Sequence, residues 1–142
     1  MQRDRRVARF EIAMGGLVMV WWLFALSTDQ VPEVGEGQAI WFHLAAEASM
    51  AALLLAGGGL LIRGRTPSGV GVSALGLGAA FYSLVNAAGY YADRGEPILT
   101  GTFLAVAAVT GLVALGLLEP QISKTLSEDE RRRFDADAEV GG

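Results

Sequence analysis

The chain contains no cysteine and a single histidine, His43. The first absence removes disulfide frameworks, thiol nucleophiles, iron–sulfur clusters and cysteine-based zinc sites. The second leaves any metal or haem site short of strong ligands, and no cofactor is expected. Charge is scarce as well, at 18% of residues against 52% hydrophobic. A formal charge of -4 says little about the bulk of the chain, because seven of the fifteen acids lie in residues 119–142. No basic stripe interleaved with aromatics is present, which argues against nucleic acid as a partner.

What the chain does have is long apolar runs. The apolar residues are gathered in blocks, with nearly every charge confined between them, which is how a bilayer sorts a polypeptide. The blocks cover about residues 10–27, 39–62, 69–92 and 98–118. They predict an all-α integral membrane protein, a four-helix up-down-up-down bundle in the cell membrane, because short linkers make sequence neighbours antiparallel. Residues 1–118 would form this transmembrane domain and residues 119–142 a charged, partly disordered tail. The fourth span is expected to end at Glu119-Pro120, where proline stops or kinks a helix.

The first block is the shortest. Fifteen residues separate Glu11 from Ser27, about 22 Å of helix, so Arg9 and Glu11 are expected to reach back toward the headgroups. A second reading takes Arg3, Arg5 and Arg6, followed by an apolar run ending Ala25-Leu26-Ser27, as a secretory signal. The paired Trp21 and Trp22 deep in the run favour a retained helix.

Orientation follows from the arginines. Residues 1–9 hold four and the 63–68 linker two, whereas 28–38 has none and 93–97 has one. The basic side stays in the cytoplasm, which places both termini there. Trp21, Trp22, Trp41, Tyr90 and Tyr91 gather toward the opposite side, where amphipathic rings prefer to sit.

The candidate site is centred on Glu47. It lies one turn from His43 on the same face of the second helix, and about 12 Å below the outer boundary, too deep to snorkel comfortably. A carboxylate there must face the bundle or a water-filled cavity, be protonated, or be paired. Tyr82, Asn86 and Tyr90 recur every four residues on the third helix, and Asn86 is about 9 Å deep. These form the expected opposing wall, with Thr102 joining from the fourth helix and the cluster opening toward Asp29, Glu33 and Glu36. His43 is expected to bond Glu47 rather than a metal. For Glu47 and Asn86 the structural alternative is interhelical hydrogen bonding alone.

Glycine is abundant, with Gly57-Gly58-Gly59 in the second helix and Gly69, Gly71, Gly76 and Gly78 in the third. A phosphate-loop reading fails, because no strand precedes these glycines and no lysine follows. Ala48, Ala52 and Ala56, and Gly76 with Ala80, make small-xxx-small faces suited to tight helix pairs within the chain, a homo-oligomer or a larger membrane complex. In the tail, Ser127 to Glu130 has the spacing of a capping box opening a short surface helix. Arg131 to Arg133 reads as a solvated charge run in preference to a contact for anionic lipid.

Two functional readings follow. In one, the chain is a transporter, channel subunit or proton relay in which Glu47 changes protonation state. In the other it is a non-catalytic subunit, assembly factor or scaffold whose polar cluster only packs helices. Neither calls for an enzyme. The bilayer is the expected partner in both.

Overall fold

The computed structural model describes residues 2–28, 40–64 and 66–140. Among these residues the architecture is all-helical: α1 (Gln2–Ser27), α2 (Ile40–Arg63), α3 (Pro67–Asp93) and α4 (Pro97–Val140). Each contains a stretch long and apolar enough to cross a bilayer. Leu17, Leu23, Leu75, Leu112 and Leu115 are each about two-thirds exposed, so much of the apolar surface lies outside the bundle, as lipid contact requires.

Cross-helix contacts give the directions. Gly58 of α2 approaches Ala8 of α1, while Gly15 approaches Ala51, so α1 and α2 are antiparallel. Gly57 meets Ser73 and Gly76 meets Leu53 and Leu54, which makes α3 antiparallel to α2. Tyr91 stacks on Phe103 with ring centroids 5.3 Å apart, and Gly111 packs by Phe81, so α4 returns antiparallel to α3. Leu54, Leu77 and Leu117, from α2, α3 and α4, are fully buried at the centre with Val7 and Ala8 of α1 beside them.

The turn between α2 and α3 is capped at Thr66, whose side chain accepts the Gly69 N–H at 3.1 Å, and Pro67 opens the helix where its missing N–H is harmless. The turn between α3 and α4 uses Gly95 at φ +70°, a conformation that costs a side chain.

Two helix ends depart from expectation. α1 begins at Gln2 rather than near residue 10, because arginines end an apolar run without ending a helix. α4 does not stop before Pro120 but continues through it, and Ser127 to Glu130 lies inside that helix instead of capping a new one. Pro120 cannot donate to the carbonyl of Gly116, four residues back. That carbonyl instead accepts a hydrogen bond from the Arg3 guanidinium of α1, which also pairs with Glu119 at 2.7 Å. The donor that proline lacks is supplied by another helix. The side chains of Arg131, Arg132 and Arg133 lie outside those described.

Candidate functional site

Glu47 is half-buried on the inward side of α2, and both its carboxylate oxygens are engaged. Trp22 of α1 donates its indole N–H to Oε2 at 3.1 Å, and the Ser83 hydroxyl of α3 donates to Oε1. One acidic side chain therefore links three helices. His43, one turn away, is exposed. Its ring meets the Trp22 ring edge-on at 5.8 Å. Among the described residues it is not brought onto Glu47, so the expected His43–Glu47 bond is replaced by the tryptophan and serine bonds.

The expected opposing wall also lies elsewhere. Tyr82 is 73% exposed, and Asn86 and Tyr90 are exposed as well. Tyr90 carries the Arg94 guanidinium over its ring at 3.6 Å and touches Tyr91 edge-on. Thr102 is exposed and donates to the Ile98 carbonyl of its own helix at 2.8 Å. The reason is spacing. α3 meets α2 along Gly69, Ser73, Gly76, Ala80 and Ser83, small residues at alternating steps of four and three that let the backbones approach. Tyr82 and Asn86 are rotated off that ridge. Asp29, Glu33 and Glu36, expected to open the cluster outward, lie outside the described residues.

A second carboxylate escaped the sequence reading. Glu11 does not reach back toward headgroups but is completely buried where α1, α2 and α3 meet. Ser73 of α3 donates its hydroxyl to Glu11 Oε2 at 3.0 Å, while Oε1 has no hydrogen-bond partner among the described residues. The slot it occupies is made by glycine. A Cβ at Gly57 would stand 2.8 Å from the Ser73 Cα, and one at Gly58 would stand 2.8 Å from the Ala8 carbonyl oxygen. Gly59, the next residue, faces open space. The available signal was that Ser73 shares the small-residue ridge with Ser83, ten positions and about 15 Å farther along α3. Each serine then wants an acceptor from a neighbouring helix.

The small-residue faces divide in the same way. Gly76 is consumed in the α2–α3 contact, and Ala80, one turn farther along, is buried. Ala48, Ala52 and Ala56 face outward. Among the described residues, no three histidine or acidic side chains converge in a manner that could hold a metal.

Fold and site together define an all-helical chain of four helices long and apolar enough to cross a bilayer, linked by carboxylate–serine bonds between them. Residues 1–129 match the family described as Domain of unknown function (DUF8058), and the chain belongs to that family. No curated protein and no solved structure matches it.

Proposed function

We propose that this chain is a multi-pass membrane protein with both termini in the cytoplasm, acting as a non-catalytic subunit or scaffold whose Glu47 carboxylate holds its helices in register. The observation that carries this reading is the full engagement of Glu47: one oxygen is taken by α1 and the other by α3. A carboxylate whose acceptor sites are filled by fixed donors from neighbouring helices is a packing element first. The outward row Ala48, Ala52 and Ala56 suits close approach by a helix of a second copy or of another subunit.

The rival reading keeps Glu47 as a group that changes protonation state while a substrate or proton crosses. It is supported by the incomplete burial of Glu47 and the exposed His43 beside it, since an ionisable group within a spanning helix marks a functional site by default.

Thermal unfolding of the detergent-solubilised protein from about pH 5 to 9, with and without divalent metals, separates the two when wild type is compared with Glu47→Gln. The amide keeps an acceptor for Ser83 but presents a donor to the Trp22 N–H. The scaffold reading expects a lower midpoint in the variant at every pH, with no metal dependence. A neutral or stabilising substitution that abolishes a pH- or metal-dependent shift would overturn it in favour of transport.

A further inference from the structure

α1 leans on α2 and α4 leans on α3, so the first and last helices leave an open seam between them. The seam is a groove of about 300 Å³ lined by Arg3, Arg6, Val7, Val109, Leu112 and Val113, with Gly116 at its end. Its wall is almost wholly apolar and runs about 10 Å along α4 from Gly116 to Val109. Its mouth is basic. Arg3 is already committed to the Gly116 carbonyl and to Glu119, but Arg6 is exposed and makes no ion pair among the described residues. Arg5 and Arg9 are exposed on the same end of α1.

An apolar slot within the hydrocarbon layer, topped by an uncommitted guanidinium at the headgroup level, matches one kind of molecule along its whole length. We propose that the α1–α4 seam binds an anionic phospholipid, with its phosphate on Arg6 and one acyl chain between Val7, Val109, Leu112 and Val113. The charge selects the lipid class, because a cation at this depth attracts a net-negative headgroup and gains little from a zwitterionic one. The apolar wall selects a lipid over a free phosphate, since phosphate alone leaves the groove unused. Arg3 shapes the mouth without competing for the headgroup, because Glu119 balances its charge. The site depends only on the arginines and the groove sharing one end of the bundle, and it stands whether the chain is a scaffold or a transporter.

The test is native mass spectrometry of the full chain in detergent, titrated with phosphatidylglycerol or with phosphatidylcholine of the same acyl chains. Phosphatidylglycerol should be retained more strongly by about fivefold, the preference expected from one arginine near the membrane surface. Arg6→Gln should abolish that preference. Val109→Phe, at a half-exposed position, should weaken both lipids together by filling the groove. Thermal midpoints measured alongside confirm that both variants remain folded, and Arg94→Gln, at the other end of the bundle, should leave retention unchanged. Equal retention of the two lipids overturns the proposal, as does an unaltered preference in Arg6→Gln. So does displacement of phosphatidylglycerol by inorganic phosphate alone, or a dimer that occupies the seam and excludes lipid.

Discussion

The two glutamates set between the helices use the same chemistry in opposite settings. Glu11 and Glu47 each accept a hydroxyl from α3, at Ser73 and Ser83. Glu47 has a second donor in Trp22 and is partly exposed; Glu11 is completely buried, and its Oε1 has no partner among the described residues. A satisfied, accessible carboxylate adds cohesion. A sealed carboxylate with an orphaned oxygen costs stability unless the surrounding helices are held together by something else. Here that is the glycine slot, which brings three backbones close enough for dispersion contacts to carry the assembly.

The sharpest test of this contrast is Gly57→Ala. The added methyl collides with the Ser73 backbone, and we expect a loss of about 3 kcal/mol, at the upper end for overpacking, in a denaturant titration in mixed micelles. A loss under 1 kcal/mol would mean that the α2–α3 contact is loose and that glycine does not set it. Next in size is the apolar replacement Glu11→Met with Ser73→Ala. Removing both partners of a poorly satisfied buried pair should raise stability by about 2 kcal/mol; a large loss would show that Glu11 has a favourable partner and that the two carboxylates are alike. Glu47→Ala is expected to lower stability by about 1 to 2 kcal/mol, because Trp22 and Ser83 both lose their acceptor. Unchanged unfolding together with unchanged Trp22 fluorescence would remove Glu47 from the packing account. Smallest is Gly59→Ala, where the methyl meets nothing within 4 Å. It should leave stability unchanged or raise it by up to about 1 kcal/mol through helix propensity, and a loss would point to a partner helix covering that position.

The number of helices, their approximate spans and the prominence of Glu47 were legible in the sequence, because bilayer burial acts on whole blocks and an ionisable residue inside one stands out. Helix ends were less legible. Their charge sets Arg3 to Arg9 outside the apolar block, but nothing in their backbone chemistry excludes them from α1. At Pro120, the continuation of α4 accompanies a bond from residue 3, which no local pattern encodes. The partners of Glu47 were misplaced for a related reason. Tyr82 and Asn86 attract attention by polarity, yet position in a close-packed ridge is decided by size, and Ser83 is the residue of that ridge near Glu47 that is both small and able to donate. Glu11 was hidden because its burial depends on glycines in a different helix.

The bond from Arg3 to the Gly116 carbonyl also has a bearing on the order of biosynthesis. The two residues are 113 positions apart, so the N-terminal turn leaves the ribosome long before its acceptor is translated. Until α4 is made and docked, Arg3 must keep other company, and the carbonyl released by Pro120 waits for its donor. Closing so distant a pair costs more loop-closure entropy than a contact between helices adjacent in sequence, by an amount that grows slowly with separation. Arg3 therefore settles only after α4 has been made, and a bulky group attached ahead of it should delay this last contact more than the formation of any single helix.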